Sequence, residues 1–284
     1  MNHRDEILTK VGTVQSLPAA ALEAVELMDD PETSISEIAK IIEMDPSLTA
    51  NVLRLANSAY FGLSGSVGSV RDAIVWLGTK QVTHAIMTSA AASWMHQAIK
   101  GYDLSAGELW KHSVAVAITS EQFVSALDIE SPCDMFTAAL LHDVGKIVLG
   151  TFVDVDAKPI MKLAFDEQVP FHVAEQRVLG IDHAEVGAVL LDYWNLPAPI
   201  VNVSRWHHEP SHASSNIPAV DIAHMADMLM LMCGVGTGSD GLNYCTSRDV
   251  VSRLQVDVGV MEKVACHTLT SLSELHDMFA TSPV

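Results

Sequence analysis

Apolar and polar residues recur along most of the chain with the spacing of amphipathic helices. In the segment ALEAVELMDD, for example, Leu22, Val25 and Met28 follow one another at helical intervals. Asp45 and Pro46 predict the start of another helix, because Asp is a favoured N-cap and Pro is favoured at the first helical position. No sustained alternation of the kind that marks strands is found in the sequence. The pattern therefore predicts an all-α fold.

The predicted helices fall into two successive groups. Residues 15 to 100 are predicted to form several short helices, two of them hinged at Gly78. The second group begins with a long helix in SAGELWKHSVAVAITSEQFVSAL. It continues with a helix in CDMFTAALLHDVGKIVLG that ends near Gly150, and with a helix in DHAEVGAVLLDYWNL that Asp182 caps. The glycine-rich segment CGVGTGSDGLN is predicted to be a flexible loop, and it lacks the Lys-Ser/Thr of a P-loop.

Composition limits the kinds of partner. The 284 residues carry a formal charge of −19, and such an acidic chain offers no basic stripe for a phosphate backbone, so DNA is not expected to bind. The four cysteines form no CxxC pair, and the amino-terminal residues lack the apolar core of a signal peptide. No uncharged apolar run is long enough to span a bilayer. We expect a cytoplasmic protein without membrane contact.

A set of polar residues interrupts apolar helical segments. A single histidine or acidic residue of this kind is usually a hydrogen-bonded core residue, a helix cap or a surface charge. One shared metal site explains the whole set, because a cation offsets buried carboxylates and fixes neutral imidazoles. The set comprises Glu108, His112, His142, Asp143, His183, His207, His208 and Asp227.

Nitrogen and oxygen donors without a thiolate suit Fe, Mn, Co, Ni or Zn. One natural partition puts His112, His142, Asp143 and Asp227 on one ion. His183 and His207 would then hold a second ion, with Asp143 as a bridging carboxylate. Two such ions can activate water and hold a phosphoryl oxygen. Lys146 follows Asp143 by three residues and is expected to meet a phosphate or a leaving group.

At these residues the sequence resembles known families. LLHDVGKI, together with His112 and Asp227, resembles the HD superfamily of metal-dependent phosphohydrolases. His183 and the pair His207–His208 resemble the extended ligand set of its HD-GYP branch, the cyclic-di-GMP phosphodiesterases. The first half is similar to HDOD domains in Leu17-Pro18, in the Asp45-Pro46-Ser47-Leu48 turn, and in RLANSAYFG and AIVWLG. The resemblance covers roughly residues 10 to 235.

The resemblance implies bacterial signal transduction and an all-helical fold with two helical subdomains. Residues 10–105 would form an HDOD bundle packed on a metal-binding HD-like core of residues 106–235, followed by a helical extension of residues 236–284. It also implies Glu108 as an additional ligand, with Fe or Mn as the favoured metal and Zn, Ni or Co as alternatives. The sequence departs from HD-GYP proteins where PSHASSNIPAV replaces their Gly-Tyr-Pro loop. Met230 stands where a third metal would need a carboxylate, so one or two ions are expected.

Three functions stay open at this point. The first is hydrolysis of a phosphate ester or nucleotide phosphodiester, with Asp143, Lys146 and His208 as catalytic residues. The second is a non-catalytic signalling module with a structural or regulatory metal, in which the HDOD half docks a protein partner. The third is an iron oxygenase of the HD superfamily, which the optical spectrum of bound iron would reveal.

Overall fold

The computed structural model describes residues 3–275 except residues 15, 31, 63–64 and 242. The described part of the chain forms fifteen α-helices and three short 3-10 turns, and it contains no strand. The predicted all-α fold is therefore confirmed. Among the described helices, none combines the length and the apolar character that crossing a bilayer requires.

The chain folds into two compact units, of which the smaller contains the described residues of 16–96 and 270–275. Ser34 caps the helix that begins at Ile35 in a capping box with Glu37, and Asp45 caps the helix that begins at Pro46 by accepting from the Leu48 amide. The core of this unit includes Leu17, Ile42 and Ile86. Its helices are α2 (Ala19–Asp29), α3 (Ile35–Glu43), α4 (Pro46–Ala56), α5 (Val70–Leu77) and α6 (Thr79–Met95).

The larger unit contains residues 3–14 and 97–269. Its helices are α1 (His3–Val11), α7 (Glu108–Ala126), α8 (Met135–Leu140), α9 (Gly145–Glu167), α10 (Phe171–Leu179), α11 (His183–Tyr193), α12 (Ala198–Trp206), α13 (Ile217–Met232), α14 (Arg248–Leu254) and most of α15 (Val258–Glu274). Helix α7 packs against α8 and α13, while α11 packs against α9 and α12. These central helices thus converge around one apolar core.

The predicted single helix in residues 133–150 is wrong. The chain leaves α8 after Leu140 and begins α9 only at Gly145, and α9 then continues past Gly150 to Glu167. Gly150 serves close packing, since a Cβ added there would lie 2.2 Å from Cγ2 of Ile99. His142 and Asp143 consequently lie in the turn between two helices.

The predicted domain boundaries near residues 105 and 235 stay a prediction. The boundary between the two compact units falls between residues 96 and 97, and residues 236–269 belong to the same unit as residues 97–235.

Candidate metal centre

The turn between α8 and α9 brings Asp143 to the centre of the larger unit. A Cβ added to Gly145 would lie 1.9 Å from the carbonyl oxygen of His183 and 2.5 Å from the amide nitrogen of Gly187. Helices α9 and α11 therefore meet backbone to backbone, which only glycine permits. This approach leaves 3.4 Å between Oδ1 of Asp143 and Nε2 of His183.

Three residues from three elements form what we call the first group: His112 of α7, His142 of the α8–α9 turn, and Asp227 of α13. Each offers one ligand atom, and these atoms all lie within 4.8 Å of one another. Nε2 of His112 lies 3.1 Å from Oδ1 of Asp227, and Nε2 of His142 lies 3.9 Å from the same oxygen. None of the three side chains is more than 2% exposed.

Four further residues, Asp143, His183, His207 and His208, form the second group, defined by the same 4.8 Å limit. Oδ1 of Asp143 lies 3.4 Å from Nε2 of His183 and 3.6 Å from Nε2 of His207. Nε2 of His208 is only 2.9 Å from Nε2 of His183. Two nitrogen lone pairs this close repel each other unless a proton or a cation lies between them.

Asp143 lies between the two groups. Its Oδ2 lies 3.3 Å from Nε2 of His142 and 3.8 Å from Nε2 of His112, while its Oδ1 faces the second group. This arrangement differs from the sequence-based partition in two respects, because Asp143 is grouped with His183 and His207, and His208 joins them. The two oxygens of Asp143 nevertheless point to different groups, as a bridging carboxylate requires.

Hydrogen bonds outside the centre fix the orientation of the imidazoles. Nδ1 of His112 lies 2.9 Å from the carbonyl oxygen of Val235, and the Nδ1 atoms of His142 and His207 lie 2.7 Å from backbone carbonyls three residues earlier. A carbonyl oxygen only accepts, so each Nδ1 must carry a hydrogen. The neutral ring then directs the lone pair of Nε2 into the centre, which is the arrangement of metal-ligating histidines.

Several buried atoms of the centre lack a hydrogen-bond partner. Buried polar atoms in native proteins are nearly always hydrogen-bonded, so a cluster of unpartnered donors and acceptors calls for a missing component. The atoms are Nε2 of His142, Oδ1 of Asp143, Nε2 of His207, Nδ1 of His208 and Oδ2 of Asp227. They are nitrogen and oxygen atoms that a divalent transition metal accepts as ligands, so the residues present fit the metal that the sequence predicts.

The electrostatics of the centre favour cation binding. Burial alone would raise the pKa of Asp143, but Lys146 and the neighbouring imidazoles hold it well below its usual range. Burial likewise opposes ionisation of Asp227, yet Nε2 of His112 donates to Asp227 when that ring is protonated, and this contact lowers the pKa of Asp227 to about 2. A bound cation would take the place of that proton. Burial lowers the pKa of His183 to about 4, and it lowers the pKa of His208 well below its usual value. The carboxylates are therefore ionised and these two imidazoles neutral near pH 7, the states in which both ligate metals.

Glu108 belongs to neither group. It lies in the first turn of α7 with a side chain that is 40% exposed, and its carboxylate lies 4.0 Å from the ammonium of Lys111. His224 also belongs to neither group and is a hydrogen-bonded structural residue. Its Nδ1 donates to the carbonyl of His207, and its Nε2 accepts from the amide of Ser247.

An ion-pair network surrounds Lys146. Its Nζ lies 2.6 Å from Oδ2 of Asp143 and 2.5 Å from Oδ2 of Asp240, and it also lies 5.7 Å from the ring centroid of Tyr102. The Tyr102 hydroxyl donates to Glu175, whose other oxygen accepts from both the backbone amide and Nδ1 of His183. This network holds one candidate ligand, His183, and the buried lysine of the centre in fixed positions.

Aromatic rings cover His208. The ring of Tyr244 is stacked 4.5 Å from the ring of His208, and the ring of His172 is stacked 4.9 Å from it on near-parallel planes. His172 also lines a cavity of about 410 Å³ together with Arg177, Arg205 and Trp206. None of the seven residues of the two groups is among those lining this cavity.

Comparison with known proteins agrees with this architecture. The family described as the HDOD domain matches residues 14–210 of the chain. The chain belongs to the HDOD family.

Similar proteins and solved structures give this HDOD protein a structural context. An HDOD domain protein of unknown function from Geobacter sulfurreducens is 25% identical with a TM-score of 0.72, covering 97% of this chain and 96% of its own. A candidate phosphohydrolase from Shewanella amazonensis is 24% identical with a TM-score of 0.71, covering 95% and 97%, and therefore shows the same fold. An uncharacterized protein of Treponema pallidum (strain Nichols) is 25% identical over 224 residues, which is 78% of this chain. The matched region is 43% of that relative's length.

The sequence did not single out four residues around the candidate metal centre of this HDOD protein. Glu175 and Asp240 are single acidic residues in polar segments, and Tyr102 and Tyr244 are single aromatic residues, so periodicity singles out none of them. Asp240 and Tyr244 also lie beyond the residues that match the family. Only the tertiary approach of their segments brings them to the centre.

Proposed function

We propose that this chain is a metal-dependent phosphohydrolase of bacterial signal transduction that acts on a phosphate ester or a nucleotide phosphodiester. The observation that carries the proposal is the convergence of five unpartnered buried nitrogen and oxygen atoms on one region. The Shewanella amazonensis protein of the same fold bears the name of a candidate phosphohydrolase, which supports the reaction class.

In this proposal His112, His142 and Asp227 would hold one ion, His183, His207 and His208 would hold a second, and Asp143 would serve both. Fe or Mn is the favoured metal, and the reaction takes place in the cytoplasm. Bound divalent ions lower the pKa of water and offset the charge on a phosphoryl group. Asp143 would serve both metal sites, Lys146 would meet a phosphoryl oxygen, and the neutral imidazole of His208 would donate a hydrogen bond to the substrate from the ring nitrogen that does not ligate the ion.

The test is hydrolysis of bis(p-nitrophenyl) phosphate and of a nucleotide panel by protein reconstituted with Mn²⁺ or Fe²⁺. Asp143→Ala is expected to abolish turnover, because it removes the carboxylate whose two oxygens face the two groups. Asp192→Asn is the matched control, since it also removes one negative charge of the larger unit but at an exposed position on α11. Metal-loaded protein that turns over none of these substrates would contradict the proposed activity.

A second candidate function is favoured by the burial of the centre. The ligand side chains are at most 4% exposed, and Lys146 is occupied by two carboxylates. These observations support a non-catalytic signalling module in which the metal stabilises the fold. Val75 and Trp76 of α5, which are 62% and 69% exposed, support docking of a protein partner by the amino-terminal half. In that case chelation would lower the melting temperature while no substrate is consumed.

A further inference from the structure

The segment of residues 235–240 is fixed in place by close packing, although its glycines predict a flexible loop. Gly236 has a φ of 64°, and a Cβ added there would lie 2.5 Å from Cβ of His112. A Cβ on Gly238 would lie 2.1 Å from the carbonyl oxygen of Tyr102, which also accepts from the Ser239 amide at 2.9 Å. The glycines therefore let this segment lie directly against the walls of the metal centre.

This packing delivers one carboxylate to the buried lysine of the centre. Asp240 is 3% exposed, and its Oδ2 lies 2.5 Å from Nζ of Lys146. Nζ also lies 2.6 Å from Asp143 and faces the ring of Tyr102 at 5.7 Å. Two of the three donor hydrogens of the ammonium are engaged by these carboxylates, so an incoming anion must compete with them for Lys146.

A carboxylate oxygen and a phosphoryl oxygen are the same kind of acceptor for an ammonium group. Asp143 already faces both metal groups, whereas Asp240 belongs to neither of them. We propose that Asp240 is an internal anion that holds Lys146 and competes with a phosphoryl oxyanion for it. This inference rests on the proposed function, because it concerns the lysine that would meet the phosphoryl group.

The consequence extends to the first metal group. Residues 235–240 also supply the Val235 carbonyl that orients His112 through its Nδ1. An oxyanion that displaces Asp240 from Lys146 would therefore release one contact of the segment that also orients His112.

The test compares binding of inorganic phosphate to the full-length wild type and to Asp240→Asn by isothermal titration calorimetry, with and without Mn²⁺. Asparagine keeps an oxygen acceptor for Lys146 but removes the competing charge. We expect phosphate affinity to rise at least about tenfold, the order of one charge-assisted hydrogen bond. Lys146→Met in the Asp240→Asn background should abolish the gain, and the charge-matched control Asp192→Asn should show none.

A second variant covers the case in which Asp240→Asn does not fold. Gly238→Ala keeps every charge but forces residues 235–240 away from Tyr102, so it should also raise phosphate affinity in a Lys146-dependent manner. The inference is overturned if Asp240→Asn binds phosphate with the same affinity as wild type. If only Gly238→Ala folds, it is overturned when that variant binds phosphate with the same affinity as wild type. An equal gain in Asp192→Asn overturns it as well.

The outcomes separate this inference from the proposed hydrolysis. Tighter phosphate binding by Asp240→Asn without turnover of any phosphodiester supports the internal anion and contradicts the enzyme activity. Turnover by the wild type with no gain in phosphate binding by the variants supports the enzyme activity and contradicts the internal anion.

Discussion

Two substitutions of Glu175 distinguish the stability of the protein from the affinity of the candidate metal centre for metal. The Glu175 carboxylate is fully buried and accepts three hydrogen bonds, from the amide of His183 at 3.0 Å, from Nδ1 of His183 at 2.7 Å and from the hydroxyl of Tyr102. Glu175→Ala leaves three buried donors without an acceptor, at about 1–3 kcal/mol each. The total approaches the stability of a whole domain, about 5–15 kcal/mol, so this variant should be largely unfolded.

Glu175→Gln should behave differently, because its amide oxygen can accept from both donors of His183. It should fold with nearly wild-type stability but lose the negative charge that makes His183 a stronger ligand. Removing such an outer partner lowers metal affinity about 10–100-fold. Calorimetric titration with Mn²⁺ at pH 8.5 should show this loss for one of two ions, with the other unchanged.

The pH dependence of metal binding provides an independent readout. Burial raises the pKa of Glu175 to about 8, so the metal-free wild type holds a proton there that metal binding must displace. Wild-type affinity for that ion should therefore rise with pH, by up to about tenfold per unit between pH 6 and 8. Glu175→Gln should lack this rise.

The matched control is Tyr102→Phe, which removes the hydroxyl donor but leaves both His183 bonds in place. Its metal affinity should stay within a few-fold of wild type. The reasoning is refuted if Glu175→Gln binds two ions as tightly as wild type at pH 8.5. It is equally refuted if Tyr102→Phe and Glu175→Gln lose affinity to the same extent.

Three further predictions follow from the centre. Gly145→Ala would place its Cβ 1.9 Å from the His183 carbonyl, so α9 and α11 must separate, and circular dichroism with metal analysis should show loss of both fold stability and metal. Removal of metal by a chelator should lower the melting temperature, because each ion at 100 times its Kd contributes about 2.7 kcal/mol, and an unchanged melting temperature would contradict this. Metal-free protein should lose stability as pH falls from about 6.5 to 4. Burial lowers the pKa of His172 to about 3 and that of His183 to about 4. In this pH range the unfolded chain therefore binds more protons than the folded protein, and each histidine lowers the free energy of unfolding by up to about 1.4 kcal/mol per pH unit. The raised pKa of Glu175 has the opposite effect, because above the pKa of Glu in the unfolded chain the folded protein binds the extra proton. Urea unfolding should therefore show that the free energy of unfolding falls more steeply with decreasing pH in Glu175→Gln than in wild type.

Sequence reasoning singled out the candidate ligands because each is a polar residue in an apolar segment. His112 and Asp227 are both buried at positions where a helix otherwise carries core residues. Glu108 follows the same helical spacing as His112 but lies in the first turn of α7, where its side chain is partly exposed. Helical spacing along the sequence therefore does not distinguish His112, a buried candidate ligand, from Glu108, a surface charge in the same helix.

The assignment of ligands to groups could not be predicted from spacing along the chain. The turn at residues 141–144 interrupts the expected helix and directs the two oxygens of Asp143 to different groups. The partners of Lys146 and His183 are also tertiary features. Asp240 reaches Lys146 only because Gly236 and Gly238 allow a backbone approach that no local pattern encodes.

The central claim is that two groups of buried side chains hold divalent ions around Asp143. Anomalous diffraction from crystals grown with Mn²⁺, recorded at the manganese edge, tests it most directly. The account predicts two anomalous peaks on either side of Asp143, one between His112, His142 and Asp227 and the other between His183, His207 and His208. A map with no anomalous peak within bonding distance of these side chains, at saturating Mn²⁺, Fe²⁺ or Zn²⁺ and the matching edge for each, would contradict it.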